Sequence, residues 1–349
     1  MTLVLRVDPE APEDMVIAQA AKVILDGGLV AFPTETVYGL GANALDERAV
    51  EGIFRAKERP AYDPLIVHLA DARALDLVAS HVPETALLLA DAFWPGPLTL
   101  VLPRHPRIPL QVTAGGETVA VRVPAHRVAR ALIRAADVPI AAPSANRFGR
   151  ISPTCADHVL ADLEGRIELL LDGGCTMVGL ESTVLSLVDE VPSILRPGGI
   201  SREALSGILG EVVLAPSTVP DETRLVSPGT ASKHYAPRAR VILYRGEQLQ
   251  VLKAMRRDAL DLLAAGEKVG LLLAEEDVQE MGELPVILQD MGSLASMAEI
   301  AQHLYSALRT LDGAGVTIIL ARDVGTEGLG LAIRDRLTRA ASGHVVEVS

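Results

Sequence analysis

Apolar and polar positions along the first two hundred residues follow two periodicities, one typical of strands and one typical of helices. Short apolar runs bounded by Gly, Pro or polar residues predict buried strands, and apolar residues three and four positions apart predict amphipathic helices. Strands are predicted at 3–7, 29–32, 65–68, 98–102, 118–123, 138–142 and 169–172, and helices at 12–26, 48–57, 72–79, 84–93, 127–136 and 201–209. The pattern indicates a mixed α/β region.

The periodicity stops at about residue 214 and starts again near residue 239. Pro216, Pro220, Pro228 and Pro237 punctuate the intervening stretch, which predicts an extended linker. Beyond it strand and helix patterns alternate to the end, which predicts an open α/β sheet of the doubly wound type. We therefore expect a first domain at 1–213, a linker at 214–238 and a second domain at 239–349.

Composition supports two domains of moderate size. The chain has 349 residues, 49% of them hydrophobic but only 3% aromatic, so Ala, Leu and Val must fill both cores. The net charge of −13 argues against a general binder of nucleic acids or anionic membranes, which need a basic surface. Eight arginines nevertheless lie between Arg104 and Arg150, where Glu117 and Asp137 are the only acids. This local excess favours a small anionic ligand.

Neither the N-terminal residues nor the cysteines suggest an exported protein. No basic segment followed by an apolar core opens the sequence, and no apolar run approaches the ~20 residues of a membrane span. Cys155 and Cys175, the two cysteines, are too few for a disulfide scaffold and form no C-x-x-C pair. A cytoplasmic protein is the expectation.

Several common chemistries lack their motifs. The sequence contains no P-loop, no G-x-G-x-x-G fingerprint, no G-x-S-x-G elbow and no H-E-x-x-H. Its histidines are scattered and no Cys/His cluster occurs, so no protein-bound zinc is expected. What remains is a set of hydroxyls, arginines and one histidine at predicted strand ends, which can bind and orient a ligand but offers no obvious nucleophile.

The segment from Lys57 to His68 concentrates these features. Lys57 and Arg59 end a predicted helix, a proline-containing turn follows, and a short apolar strand ends on His68. Two cations beside a turn suit a phosphate-bearing ligand. They also suit a helix C-terminus, because cations there complement the helix dipole, and this segment alone does not decide between the two interpretations.

Six motifs in order resemble the YrdC family of threonylcarbamoyl-AMP synthases. They are Phe-Pro-Thr-Glu-Thr-Val-Tyr-Gly-Leu at 32–40, Lys-x-Arg-Pro with Pro-Leu-Ile-Val-His at 57–68, Trp-Pro-Gly-Pro-Leu-Thr at 94–99, Thr-Val-Ala-Val-Arg-Val-Pro at 118–124, Ala-Pro-Ser-Ala-Asn at 142–146 and Glu-Ser-Thr-Val at 181–184. The linker, with Ser-Pro-Gly and His-Tyr-Ala-Pro, and the α/β region after it resemble the long, two-domain form. Helix-dipole complementarity at 57–59 cannot explain the other five motifs.

The resemblance implies a fold and a reaction. The first domain should be a YrdC-like twisted mixed sheet with a concave basic cavity, and the second a smaller Rossmann-like open α/β domain. The reaction should convert L-threonine, bicarbonate and ATP into threonylcarbamoyl-AMP and pyrophosphate, with Mg²⁺ accompanying ATP and no metal ligand from protein side chains. The product should pass to a downstream threonylcarbamoyl transferase that modifies tRNA, without a membrane or strong direct nucleic-acid binding.

The resemblance also assigns residues. Positions that match threonine contacts in the family are Thr36, His68, Arg122, Ala142 and Ser182. Positions that match ATP contacts are Lys57, Arg59, Asp63, Thr118, Ser144, Asn146, Ser152 and Arg196. Lys57 and Arg59 are the expected catalytic residues, acting by positioning and charge stabilisation rather than as nucleophiles.

Three positions depart from, or only partly satisfy, this pattern. Asp63 stands where Asn is usual, and its negative charge would repel a triphosphate unless Mg²⁺ or Lys57 intervenes. Ser232 stands where some long members carry a nucleotide-contacting Tyr. Ala142 could contribute only its backbone. We expect Ser232, His234 and Tyr235 to belong to a linker lid over the site.

Two other functions stay open at this point. A YrdC-like domain could hold structured RNA on a basic concavity, although the net charge weighs against it. A carbamoyl transferase of the hydrogenase-maturation type would need acylphosphatase-like and zinc-finger modules, whereas this chain has two cysteines.

Overall fold

A computed structural model describes residues 1–216, 227, 235–281 and 283–348. Within them the chain forms two compact units, one comprising Met1–Phe148 and Ser152–Ala231, the other Gly149–Ile151 and Ser232–Ser349. The predicted boundaries at 213/214 and 238/239 remain predictions, because the described residues include little of the intervening stretch.

The first unit alternates short strands with helices. Its strands are β1 (Leu3–Arg6), β2 (Val30–Phe32), β3 (Gly39–Asn43), β4 (Ile66–His68), β5 (Leu98–Pro103), β6 (Thr118–Arg122), β7 (Ile140–Ala141), β8 (Leu169–Asp172), β9 (Thr183–Ser186), β10 (Ser193–Arg196) and β11 (Val213–Leu214). Its helices are α1 (Asp14–Leu25), α2 (Glu47–Lys57), α3 (Glu84–Phe93), α4 (Arg127–Ala136), α5 (Ala156–Leu163) and α6 (Arg202–Leu209), with a 3₁₀ helix at Ala72–Leu77.

In the described residues these strands form one mixed sheet in the order β1-β8-β2-β3-β7-β4-β6-β5-β9-β10-β11. Neighbours β4 and β6 run parallel, whereas β2 and β3, β4 and β7, and β5 and β6 run antiparallel. The predicted mixed α/β fold is therefore confirmed. The concavity and basic charge that the resemblance implied for its cavity stay predictions.

Successive side chains of the central strands enter two different cores, as the period of two in a strand requires. Val30 and Phe32 pack with α1 and α4 residues such as Ile17 and Leu132. Ala31, between them, joins the larger core on the other side of the sheet, which includes Ile53 of α2. Because both faces of the sheet are covered there, β2 is apolar throughout, while His68 and Arg122 stand where β4 and β6 end.

Two features of the first unit were not anticipated. No strand was predicted at 39–43, but this segment is strand β3, paired with β2 and β7. Cys155 and Cys175 form a disulfide, which the sparse cysteines had not suggested.

The second unit is a parallel α/β sheet, as predicted. Its strands are β12 (Arg240–Gly246), β13 (Val269–Leu273), β14 (Ile287–Asp290), β15 (Ile318–Arg322) and β16 (Val345–Val348), in the order β14-β13-β15-β12-β16 within the described residues. Helices α7 (Gln248–Ala264), α8 (Glu275–Met281), α9 (Met297–Gly313) and α10 (Gly330–Ala340) connect them. The sequence interpretation had missed α8 and β16.

Candidate active site

The parallel pairing of β4 and β6 brings His68 and Arg122 side by side at the carboxyl ends of both strands. His68 pairs in register with Arg122, and the amide of Leu69 donates to the Arg122 carbonyl at 2.9 Å. Both side chains are buried, at 3% exposure. Two residues that are 54 positions apart in the sequence thus form one corner of a site at a sheet edge.

Arg122 is held by three groups of the protein. Its Nη1 donates to the Thr36 hydroxyl at 2.9 Å, and its Nε donates to the Gly96 carbonyl at 3.3 Å. Its Nη2 lies 2.6 Å from a carboxylate oxygen of Glu35, an ion pair whose angle falls outside hydrogen-bond geometry. The guanidinium is therefore fixed in place, with protons on Nη2 still available to an acceptor.

His68 is a neutral group in this environment. Burial, together with the neighbouring Arg122 charge, lowers the pKa of His68 to about 3 from its ordinary value of 6.5. Its Nδ1 lies 3.2 Å from the Ile66 carbonyl, and the Phe32 ring meets the imidazole edge to face at 6.3 Å. A neutral imidazole can bind a ligand hydroxyl or amide but adds no charge to the site.

Ser182 contacts Thr99 and Arg196. The Ser182 hydroxyl lies 2.7 Å from the Thr99 hydroxyl, and Nη2 of Arg196 donates to the Ser182 carbonyl at 2.9 Å and to its hydroxyl at 3.2 Å. The Ala142 amide donates to the Ile66 carbonyl at 2.9 Å, and the backbone contact of Ala142 with threonine stays a prediction. Of the predicted threonine set, Thr36, His68 and Arg122 are thus joined by contact or register.

Lys57 fixes the turn that carries Ser144 and Asn146. Its side chain is buried, at 1% exposure, and its Nζ donates to the carbonyl oxygens of Ser144, at 2.5 Å, and of Asn146. Burial, and next the nearby Arg59 charge, hold the pKa of Lys57 well below its usual range. A cation that merely complemented the helix dipole would face solvent, so this geometry argues against that interpretation.

The Arg59 side chain donates hydrogen bonds to carbonyl groups of the turn that follows α2. Its Nε donates to the Asp63 carbonyl at 3.1 Å and its Nη2 to the Pro64 carbonyl at 2.7 Å. Nη2 also lies 2.9 Å from Asp63 Oδ1, although the angle is not that of a hydrogen bond. The negative charge of Asp63 is thus offset first by Arg59, not by Lys57.

The positive charges of three residues act on the Asp63 carboxyl. Burial raises the pKa of the Asp63 carboxyl, and the charges of Arg59, Lys57 and Arg196 oppose that rise. Because Arg196 also contacts Ser182, it connects the two predicted sets of site residues.

Thr118 and Ser152 are two further members of the predicted ATP set. Thr118 begins β6 and Arg122 ends it, so the two lie roughly 13 Å apart at the usual rise of a strand. One end of this strand thus carries a residue predicted to contact ATP and the other a residue predicted to contact threonine. Ser152 is fully buried, and its hydroxyl donates to a Glu181 carboxylate oxygen at 2.5 Å.

Sequence reasoning missed Glu35, Thr99 and Glu181, which support the predicted residues. Glu35 and Glu181 lie inside quoted motifs, each directly before a predicted threonine contact, and Thr99 ends another motif. Their polarity in otherwise apolar, buried surroundings was the available signal. Their partners, distant in sequence, could not be identified without the fold.

The predicted lid is described only at Tyr235. This residue is buried, its ring stacks on Tyr305 at 5.8 Å, and the Arg336 guanidinium lies 4.9 Å from the ring centre. Ser232 and His234 lie outside the described residues. The lid therefore stays a prediction.

The described part of the chain shows neither a metal-binding cluster nor a membrane-spanning helix. It contains no group of three or more His, Cys, Asp or Glu residues placed to hold a metal ion. In the same residues no helix is both long and apolar enough to cross a membrane.

In the described residues of this α/β protein, buried arginines, hydroxyls and a neutral histidine lie at strand ends, and such side chains suit anionic and polar ligands. A family model described as "Telomere recombination" (Sua5_yciO_yrdC) matches residues 22–198, and a model of the threonylcarbamoyl-AMP synthase C-terminal domain (Sua5_C) matches residues 200–342. The chain belongs to the Sua5/YciO/YrdC family.

Full-length relatives agree with this assignment. The chain is 44% identical to a threonylcarbamoyl-AMP synthase of Pyrococcus abyssi over 100% of both chains. It is 43% identical to one of Bacillus subtilis, over 97% of this chain and 96% of that protein. The crystal structure of P. abyssi Sua5 complexed with L-threonine superposes with a TM-score of 0.94, at 44% identity and complete coverage of both chains. The predicted family and two-domain form are confirmed.

Proposed function

We propose that this chain is an L-threonylcarbamoyladenylate synthase, a nucleotidyltransferase that forms threonylcarbamoyl-AMP and pyrophosphate from L-threonine, bicarbonate and ATP. The observation that carries the proposal is the junction at Arg196, whose guanidinium contacts Ser182 and whose charge acts on Asp63. Arg196 thus connects a residue predicted to contact threonine with a residue predicted to contact ATP, which supports one site for both substrates. Complete relatives named for this activity, at 43–44% identity, support the same function.

The Arg122 corner suits the amino acid. A guanidinium binds a carboxylate through two parallel hydrogen bonds, and Nη2 of Arg122 has protons to offer. Thr36 and Gly96 hold the guanidinium, so little conformational freedom is lost when the substrate binds. Neutral His68 beside it can accept or donate one hydrogen bond to the substrate.

The chemistry needs no protein nucleophile. Threonine as the ammonium ion and bicarbonate combine to give the N-carboxylate of threonine, one water and one proton. An oxygen of that carbamate then forms a bond to the α-phosphorus of ATP as the α–β bridging bond breaks and pyrophosphate leaves. Positioning and charge stabilisation supply the acceleration in such a displacement.

The cations at the other corner suit the phosphates. Arg59 and Arg196 are buried, at 7% and 3% exposure, and are directed by protein contacts. We assign them to the charge that develops on the transferred phosphoryl group and on pyrophosphate. Lys57 donates hydrogen bonds to the backbone of Ser144 and Asn146, which makes it a positioning residue as well as a source of charge.

Mg²⁺ fits this site as a companion of ATP. Mg²⁺ in phosphate-transfer sites is held by phosphates, waters and one or two carboxylates, and it neutralises charge on the phosphates. Asp63, whose carboxylate oxygens have no hydrogen-bond partner among the described residues, is the carboxylate that stands among the cations. Because Asp63 already forms an ion pair with Arg59, the phosphates and waters would hold the ion, with no ligand from a protein side chain.

Two further parts of the proposal rest on the sequence alone. The product is a mixed anhydride that water destroys, so we propose that a downstream threonylcarbamoyl transferase consumes it to make N6-threonylcarbamoyladenosine in tRNA. A cytoplasmic location is part of the same proposal.

The deciding experiment measures pyrophosphate release by the full-length chain with ATP and Mg²⁺, with threonine or bicarbonate omitted in turn. Release that requires both substrates supports the synthase. Release that ignores threonine, together with RNA binding that falls steeply with salt, would favour the RNA-binding alternative. Carbamoyl transfer from carbamoyl phosphate, with no need for threonine, would favour the hydrogenase-maturation alternative.

A further inference from the structure

Glu35 is a buried carboxylate with unused hydrogen-bonding capacity in the amino-acid corner. Its residue exposure is 4%, and neither carboxylate oxygen has a hydrogen-bond partner among the described residues. Its backbone is fixed, because its carbonyl accepts from the Val178 amide at 2.8 Å. Burying a carboxylate costs free energy unless a ligand or another group supplies hydrogen bonds to it.

Arg122 provides charge for Glu35 but not hydrogen bonds. Its Nη2 lies 2.6 Å from Glu35 Oε1, yet the angle leaves both the donor and the acceptor unpaired as hydrogen-bonding groups. The pair thus keeps carboxylate oxygens that can accept hydrogen bonds and an Nη2 group that can donate them. An α-amino acid carries the complementary set, three donors on its ammonium group and two acceptors on its carboxylate.

We propose that Glu35 binds the α-ammonium group of the amino-acid substrate while Arg122 binds its carboxylate. This assignment rests on the proposed function and deepens it, because it names the residue that recognises the group on which carbamate forms. Glu35 then selects for a free, charged α-amine and orients the nitrogen from which the carbamate is built. Its direct neighbour Thr36, whose hydroxyl accepts from Arg122 of β6, connects the two recognition residues.

A purely structural role for Glu35 makes a different prediction. If Glu35 only neutralised Arg122, its replacement would disturb the guanidinium and weaken every ligand that uses a carboxylate there. If Glu35 binds the ammonium group, only ligands that carry that group should suffer. Threonine and 3-hydroxybutyrate, which shares the carboxylate and the hydroxyl but has hydrogen in place of the ammonium group, separate these cases.

The experiment is calorimetric titration of both ligands into full-length wild type, Glu35→Gln and Glu35→Asp. In Glu35→Gln the Kd for threonine should rise by at least about tenfold, the scale of a lost charge-assisted hydrogen bond, while the Kd for 3-hydroxybutyrate stays unchanged or falls. Glu35→Asp keeps the charge on a shorter side chain and should give an intermediate Kd for threonine. Glu51→Gln, an exposed acid on α2, controls for the change in net charge.

Three results would overturn the assignment. They are an unchanged threonine Kd in Glu35→Gln, an equal loss for both ligands, or a threonine Kd in Glu35→Asp no better than in Glu35→Gln. The threonine Kd values of the two variants decide alone if 3-hydroxybutyrate binds too weakly to titrate. Failure of the proposed function is distinct, because wild type itself would then release no pyrophosphate in response to threonine.

Discussion

Arg59 and Asp63, four residues apart, form an ion pair that is buried on both sides. Nη2 of Arg59 lies 2.9 Å from Asp63 Oδ1, with side-chain exposures of 3% and 0%. Arg59 also donates to two carbonyl groups of the same turn. The residue predicted to stabilise phosphate charge therefore has a structural duty as well, and its substitution cannot be interpreted as a loss of catalysis alone.

We expect Arg59→Ala to lose most pyrophosphate release and also to unfold more easily. Removing one member of a buried pair leaves the other charge uncompensated, which costs about 3–5 kcal/mol. Urea unfolding and pyrophosphate release measure the two effects. Arg55→Ala, which removes an exposed arginine from the preceding helix α2, is the matched control.

The double variant Arg59→Ala/Asp63→Asn separates stability from activity. Because the orphaned charge is gone, it should recover much of the stability that Arg59→Ala loses, yet release of pyrophosphate should stay low. Recovery of both properties would show that Arg59 serves the fold only.

Asp63→Asn alone should strengthen ATP binding and weaken the free protein. The substitution removes a negative charge beside the phosphate site and leaves the Arg59 guanidinium without its counter-ion, so an ATP phosphate gains a partner. The rise in Tm caused by ATP, at a fixed Mg²⁺ concentration, should exceed that of wild type. Asp76→Asn removes an exposed acid and is the charge-matched control. An equal or smaller ATP shift in Asp63→Asn would place the phosphates elsewhere.

His68 should give the protein a pH-dependent stability. Its pKa is about 3 in the folded chain, against an ordinary value of 6.5. Between these values the unfolded chain binds the proton and the folded chain does not, so the unfolding free energy rises with pH by at most about 1.4 kcal/mol per unit. The contribution is complete above 6.5 and is lost as pH falls toward 3.

Urea unfolding of wild type and His68→Gln between about pH 4 and pH 7 measures this contribution. Glutamine keeps a donor for the Ile66 carbonyl but cannot titrate. The unfolding free energy of wild type, relative to that of His68→Gln, should therefore decrease as the pH falls. A difference that is constant over this range would mean that His68 does not resist protonation in the folded chain.

The elements predicted best were those whose signal is local. Helices at 84–93 and 127–136 have the predicted bounds, because apolar periodicity and end residues agree there. Strand β3 was missed because its glycines imitate a turn. A Cβ at Gly41 would lie 2.7 Å from the Phe32 ring, so that glycine is explained by close packing against β2, which sequence spacing does not contain.

The candidate site also combines features that the sequence predicts with features that only the fold reveals. The residue types and their order were predictable from the six motifs, whereas the pairing of Glu35 with Arg122 depends on a sheet that brings distant segments together. The same holds for Ser152 and Glu181. The environment of Asp63 was predictable only in part, because repulsion of phosphate was foreseen but the offset by Arg59 was not.

The disulfide between Cys155 and Cys175 leads to a prediction about stability. It closes a loop with a sequence separation of 20, for which the chain-entropy account gives about 3 kcal/mol at 25 °C. Next to it the Thr176 amide donates to the Thr154 carbonyl at 2.9 Å, and the Tyr38 hydroxyl donates to the Gly174 carbonyl at 2.6 Å. The disulfide therefore constrains the segment that holds the Tyr38 hydroxyl. Tyr38 belongs to the same sequence motif as Thr36.

Reduction should lower the urea midpoint of wild type, and Cys155→Ser/Cys175→Ser should show the lower midpoint with or without reductant. The double variant is the control, since it has no bond to reduce and reports any other effect of the reagent. Disulfides are rare in proteins of reducing compartments, so titration of free thiols in the purified wild type must accompany the measurement. An unchanged midpoint, with two free thiols per chain after reduction, would mean that the folded chain does not depend on the bond.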